Sequence, residues 1–355
     1  MSSAAPWLLY GANGYTGELV AREAARRGLA PVLAGRNAAA VGALAAELGL
    51  PHRAFGLDDP AALRRGLDGV AAVLHCAGPF VRTSAPLVAA CLESGVHYLD
   101  ITGEIAVFEA VLAQGEAARR AGVVLLPGAG FDVVPSDCLA ARLAEALPGA
   151  VELALAFYAE GTSMSRGTLK TMIEALPHAG AIRRDGRIVP VPLAWDAREV
   201  PFSCGKRWAM TIAWGDVSTA YHSTGIPNVR VYSGTPPKAI RRARRIRPLL
   251  PLLALRPVKS FLRRRVERTV TGPDERARTR GRMCLWGEVR DAAGTAVTGT
   301  LETPEGYAFT ALSAVECAER IAAGRVPPGA WTPSKAFGWR FVTELPGVVM
   351  GELLR

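Results

Sequence analysis

The chain has 355 residues, half of them apolar and 21% charged, which is enough for about two domains with a core each. Its 37 glycines and 25 prolines follow no period, and no apolar run is long enough for a simple membrane-spanning helix. The net charge of +10 would suit a nucleic-acid partner if it were spread, but residues 238–268 hold twelve Lys or Arg against one acid, Glu267, so the remainder sums to about −1. Six cysteines (76, 91, 138, 204, 284 and 317) form no C-x-x-C pair, which points to reduced thiols and against zinc or a disulfide framework. Met1–Tyr10 carries no Lys or Arg and no cleavable apolar run, so a cytoplasmic protein is expected.

Up to residue 149, short apolar runs alternate with Ala/Leu-rich stretches of helical length, the pattern of a doubly wound α/β Rossmann domain with a parallel sheet. Strands are expected at Trp7–Tyr10, Ala30–Ala34, His52–Leu57, Val70–His75, Val96–Asp100 and Val123–Leu126. Helices are expected at Tyr15–Arg27, Ala38–Leu48, Pro60–Leu67, Ser84–Ser94 and Ile105–Ala121. Residues 150–326 read as a second, α+β domain on a mostly antiparallel sheet. Its strands are expected at Arg187–Val191, Trp208–Trp214, Asn228–Ser233, Gly281–Arg290 and Ala296–Glu302, with turn signals at Asp185-Gly186 and Asp291–Gly294. A basic Leu/Arg insertion fills 236–268, a helix is expected at Tyr307–Ala323, and the tail 327–355 is expected to pack back on the first domain.

The strongest motif is Gly11-Ala12-Asn13-Gly14-Tyr15-Thr16-Gly17, directly after the first strand and opening the first helix. Residues without Cβ let the backbone turn and approach a pyrophosphate, whose charge the helix N-terminus binds. Arg36, 19 residues past the last glycine, stands where an NAD site places an acid, and its guanidinium suits the 2′-phosphate of NADP. Ala77-Gly78-Pro79-Phe80, after the fourth strand, leaves room for the nicotinamide ribose, and Cys76 before it reads as a small buried apolar residue.

These residues resemble the saccharopine dehydrogenase-like superfamily of NADP-binding oxidoreductases, and within it the branch of trans-acting enoyl reductases and saccharopine dehydrogenase-like oxidoreductases. The resemblance rests on GANGYTG at 11–17, AGR at 34–36, CAGPF at 76–80, HYLDITGE at 97–104 and PGAGFDVVPSD at 127–137. SRGTL at 165–169 and WGDVSTAYHSTGIPNVRVY at 214–232 extend it into the second domain. It implies an NADP site of Gly11, Asn13, Gly14, Tyr15, Thr16, Gly17, Arg36, Ala77, Gly78, Pro79 and Phe80, closed at the nicotinamide end by Asp100, Gly103 and Glu104. Asp100 and Glu104 equally suit helix capping or an ion pair. Gly128, Phe131 and Asp132 match the next loop, where they would hold the nicotinamide amide or start the following helix, with Asp132 near the substrate.

The substrate half departs from that pattern. An amino dicarboxylate needs several cationic clamps, and only Arg166 and Lys170 offer themselves. Small and apolar residues dominate 169–181 and 193–214, which suits a greasy acyl or polyketide-derived substrate, free or carrier-bound. Ser165, Arg166, Gly167 and Thr168 either receive a carbonyl or phosphate at a helix N-terminus or simply cap that helix. Tyr221 and His222 are the suggestive proton-donor pair, and neither metal-ligand spacing nor a G-x-S-x-G elbow occurs. The expected function is therefore NADPH-dependent reduction of a C=C bond in a lipid- or polyketide-type substrate. The alternatives are reduction of a C=N bond, as in saccharopine-type chemistry, and a non-catalytic NADP-binding protein. No nucleic-acid partner is expected; 238–268 suits an anionic membrane surface or an acidic carrier protein, or is a solvated charged cover.

Overall fold

The computed structural model describes residues 6–161, 164–175, 180–253 and 255–355. From the N-terminus, β1 (Trp7–Tyr10), α1 (Tyr15–Arg26), β2 (Val32–Gly35), α2 (Ala38–Leu48), β3 (His52–Ala54), α3 (Pro60–Leu67) and β4 (Ala72–His75) alternate strictly. They are followed by α4 (Phe80–Ser94), β5 (His97–Asp100), α5 (Ile105–Leu112), α6 (Gly115–Ala121) and β6 (Val124–Leu126). The single helix expected over 105–121 is thus two, broken at Ala113–Gln114. Strands β1, β2 and β4 are buried at every residue, as parallel strands covered on both faces must be.

The chain continues through α7 (Val134–Ala146), β7 (Glu152–Glu160), α8 (Arg166–Ala175), β8 (Ala181–Arg184), β9 (Arg187–Pro190), β10 (Ala197–Phe202) and β11 (Gly205–Thr211). Then come α9 (Asp216–Thr224), β12 (Asn228–Gly234), α10 (Pro237–Ile246), α11 (Leu250–Leu253), α12 (Arg256–Thr269), α13 (Glu275–Arg280), β13 (Arg282–Arg290) and β14 (Ala296–Pro304). The C-terminal elements are α14 (Gly306–Ala322), β15 (Gly329–Ala330), α15 (Pro333–Phe337) and β16 (Val349–Met350). Among the described residues no helix is long and apolar enough to cross a membrane.

Two sheets result. The first is parallel, in the order β15-β6-β5-β4-β1-β2-β3, a doubly wound Rossmann arrangement with one short strand added from the C-terminal region. The second follows β10-β11-β12-β7-β13-β14-β16, with β8 and β9 branching from β12. It is mixed: β12 runs parallel to β7, and the other pairings are antiparallel. Its centre is β7, a strand that the sequence reading passed over together with β8 and β10. Along β14 burial alternates at every residue, the signature of a sheet with one covered face.

The chain forms two compact units, Met1–Val134 with Tyr307–Phe337, and Pro135–Gly306 with Gly338–Arg355. The expected boundaries at 149/150 and 326/327 therefore shift, and side-chain packing gives the reason. Helix α7 belongs to the second unit because Gly287 and Gly299, opposite each other across β13 and β14, make a flat patch beneath it. A Cβ at Gly287 would stand 2.5 Å from Leu143, and one at Gly299 3.4 Å from Leu139; both leucines are fully buried. Helix α14 belongs to the first unit. There Arg27 pairs with Glu316 at 3.0 Å and donates to the Leu312 carbonyl at 3.2 Å. The tail divides as well. β15 extends the parallel sheet beside β6, whereas β16 pairs with β14 and the Gly351 carbonyl accepts from Arg142 at 2.6 Å.

Candidate active site

The glycine motif folds as its spacing demands. Gly11 lies at φ +86°, and a Cβ there would stand 2.8 Å from Ala77. A Cβ on Gly17 would stand 2.1 Å from the Gly11 carbonyl, so only glycine lets α1 start this close to β1. Gly14 differs: a Cβ there would meet only the Gly11 carbonyl, at 3.2 Å, and the residue is exposed beside exposed Asn13, with Tyr15 and Thr16 half-buried. No side chain caps α1. By contrast Asn37 caps α2, accepting from the Ala40 amide at 3.1 Å, and Asp59 caps α3, accepting from Ala61 at 2.8 Å. Arg36 is exposed at the end of β2 and makes no ion pair or hydrogen bond among the described residues. A glycine cradle, an uncapped helix start and an uncommitted guanidinium one strand away fit a pyrophosphate and a 2′-phosphate.

Beyond β4, His75 is fully buried, and burial pushes its imidazole down to about 3. The neutral ring joins Thr83 at 2.9 Å, and Thr83 donates to the Ala77 carbonyl at 2.8 Å. This fixes the Ala77-Gly78-Pro79-Phe80 turn. Cys76 is half-buried, and burial raises its thiol far above the ordinary range, which disfavours the nucleophilic thiolate.

Glu104 caps α4: its two carboxylate oxygens accept from the Phe80 and Val81 amides, both at 2.9 Å. Asp100 is wholly buried and accepts from the Thr102 amide at 3.0 Å, the Gly128 amide at 2.9 Å and the Tyr98 hydroxyl at 2.8 Å. Burial raises its carboxyl to about 6 against the pull of these three donors. Both acids are committed to protein groups: Glu104 caps α4, and Asp100 ties the loops after β5 and β6 together without capping a helix.

Asp132 has a different environment. It is half-buried in the loop after β6, packed so closely on Gly103 that a Cβ there would stand 2.6 Å from Oδ2. No hydrogen bond reaches its carboxyl among the described residues, and burial raises it to about 7. Two residues of α14 hold that loop. Ser313 donates to the Ala129 carbonyl at 2.8 Å, and Thr310 accepts from the Phe131 amide at 3.0 Å. The sequence reading missed both, and the only signal available was a pair of small polar residues three apart on an apolar helix.

Residues 7–126 match the family described as the saccharopine dehydrogenase NADP binding domain. The first unit belongs to that family. NADP(H) is its cofactor. A saccharopine dehydrogenase-like oxidoreductase of Homo sapiens is 29% identical over 52% of this chain and 50% of its own length. A Mycobacterium tuberculosis protein named as a trans-acting enoyl reductase is 34% identical over 48% of this chain and 44% of its own. The chain thus spans about half the length of the curated relatives it matches. Apo saccharopine dehydrogenase (L-Glu forming) from Saccharomyces cerevisiae shares the fold, with a TM-score of 0.67 at 14% identity over 99% of this chain and 100% of that one.

The candidates outside the NADP-binding unit have structural partners of their own. Tyr221 lies on α9 with the Arg183 guanidinium 4.3 Å above its ring, and His222 beside it is exposed. Ser165 is buried and accepts from the Thr168 amide at 3.3 Å, capping α8, while Arg166 and Gly167 are exposed. The side chain of Lys170 lies outside the described residues. Among the described residues no group of three His, Cys, Asp or Glu is placed to hold a metal.

Three outcomes follow for the NADP-binding unit. Arg36→Ala should weaken NADPH by about 10- to 100-fold, since a charge-assisted bond contributes about 1.5–3 kcal/mol, and leave NADH unchanged; paired fluorescence titrations measure both. Gly14→Val should abolish NADPH binding with near-parental circular dichroism, because its side chain projects where the phosphates must lie. The Asp132 carboxyl binds its proton more tightly folded than unfolded, so its contribution to stability is full below pH 4 and is lost as pH rises through 7. Asp132→Asn should therefore exceed the parent by about 1–3 kcal/mol in urea denaturation at pH 8, with no advantage at pH 4.

Proposed function

We propose that the protein is an NADP-dependent reductase acting on a C=C bond conjugated to a carbonyl, in an acyl or polyketide-type substrate. The observation that carries this reading is the Asp132 carboxyl, which holds a proton to about neutral pH without a protein partner, in a loop at the carboxyl end of the parallel sheet. Ligands of open α/β sheets bind at that edge. NADPH, when bound, supplies the hydride.

The chain's own residues do the rest. Gly14 would admit the pyrophosphate at the helix start that Gly11 and Gly17 make possible, and Arg36 would pair with the 2′-phosphate. The turn held by His75 and Thr83 would border the ribose. Asp132 delivers its proton from Oδ to the carbon next to the carbonyl, and α14 keeps the loop in place through Thr310 and Ser313. Neighbouring groups are unsuited to that task. His75 stays neutral, and Tyr98 is pushed up by burial and donates to Asp100. The choice of C=C over C=N is supported by the apolar composition of the second unit and by the relative named as a trans-acting enoyl reductase.

Following NADPH absorbance with α,β-unsaturated acyl thioesters and, separately, with 2-oxoglutarate plus an amine tests the reading. Turnover is expected with the thioesters and should fall as pH rises through about 7, where Asp132 loses its proton. Asp132→Asn should lower kcat by about 100-fold or more with NADPH affinity unchanged. Turnover confined to the imine mixture would replace the C=C reading. Bound NADPH that neither mixture oxidises would make the nucleotide structural.

A further inference from the structure

Outside the NADP-binding unit, the least expected surface lies on residues 237–269. The basic segment folds as helices whose prolines sit where helices tolerate them, Pro237 and Pro257 in first turns. Its inner side is anchored. Ile240 and Ala243 are buried against Ala194, and Arg247 donates to the Leu193 and Ala194 carbonyls, each at 2.6 Å. Helix α12 packs along α8.

The outer side combines two features. Leu249, Leu252, Leu255 and Phe261 are 51%, 57%, 53% and 63% exposed, four of the ten large exposed apolar side chains among the described residues, within thirteen positions. On either side stand cations, with Glu267 the one acid in the segment. Arg241, Arg242 and Arg245 on α10 and Arg264, Arg265 and Arg268 on α12 are exposed, and none makes an ion pair among the described residues. Several surface arginines of the first unit are matched locally: Arg22 with Glu18 and Glu47, Arg26 with Glu23, Arg119 with Glu116. This segment brings six such arginines and four exposed apolar side chains together.

We propose that this face docks on an anionic lipid bilayer, the leucine crest entering the headgroup–acyl boundary and the flanking arginines meeting lipid phosphates. Nucleic acid is disfavoured because the segment offers one aromatic, Phe261, and four protruding apolar side chains would have no base to stack on. A bilayer satisfies both features together, since its charge and its apolar interior are layered as arginine and leucine are here. An acidic protein would satisfy the charge and leave the crest exposed.

The test is co-sedimentation of the full chain with vesicles of phosphatidylcholine alone or with one-third phosphatidylglycerol, at low and high salt. Binding to the anionic vesicles is expected at least tenfold above neutral ones and should fall steeply as salt rises. Each cation near such a surface is worth about fivefold in affinity, so joint Arg241→Glu, Arg242→Glu and Arg245→Glu replacement should weaken binding by about 100-fold or more. Joint Leu249→Ser, Leu252→Ser and Leu255→Ser replacement should weaken it about tenfold or more at fixed charge. All six positions are partly or fully exposed, and unchanged NADPH affinity checks that each variant is folded. Equal sedimentation with both vesicle types, or undiminished binding by the leucine variant, would overturn the proposal. Capture of an acyl carrier protein without vesicle binding would overturn it in favour of a protein partner.

Discussion

The first unit depends on a buried carboxylate. Asp100 ends β5 in a place where water cannot reach it, and burial alone would keep it neutral. Three donors compensate, from its own loop, from the loop after β6 and from Tyr98 on the same strand. Because the same residue's carbonyl also accepts from Ala129 at 2.7 Å, the loops after β5 and β6 are bound to each other at two atoms. That bond decides where Gly103 meets Asp132, and so where the one uncommitted acid of the cluster stands.

Neighbouring acids in similar positions thereby acquire different chemistry. Glu104 gives both oxygens to helix amides and Asp100 gives its own to loop amides and a phenol, so each is spent on structure. Asp132 is held only by the backbone on either side of it, through α14, and burial raises its carboxyl to about 7. Burial without compensating donors favours the protonated form of an acid, which is the property the proposed proton transfer requires.

Charge follows the same logic on the surface. Where arginines have glutamates one helical turn away, as at Arg22 and Arg119, the pairs are local and contribute little to anything distant. On 237–269 the chain supplies twelve cations against the single acid Glu267, while Arg244 and Arg247 secure the base of the segment on main-chain carbonyls. An anchored base with an unneutralised outer face concentrates the whole net charge of the protein in one place.

The parallel sheet, the glycine cradle and Arg36 were legible in the residues, because strand–turn–helix alternation and a phosphate loop are local patterns whose physics is complete within about thirty residues. The expected elements from Trp7 to Leu67 match to within a few positions for that reason. The mixed sheet was legible only in part. β7 follows the Pro148-Gly149 turn, but what makes it the centre of the sheet is non-local: its parallel pairing with β12 joins residues 76 positions apart. Nor could the chain order show that α7 leaves the first unit and α14 returns to it, since leucines over facing glycines and a serine bonded to a loop carbonyl decide those affiliations. Glu104, Asp100 and Asp132 were all read as candidates with no means of ranking them. Sequence determines which groups are available to ionise or bind; only the tertiary structure determines how much water and how many donors each retains, and that sets which of them can exchange a proton.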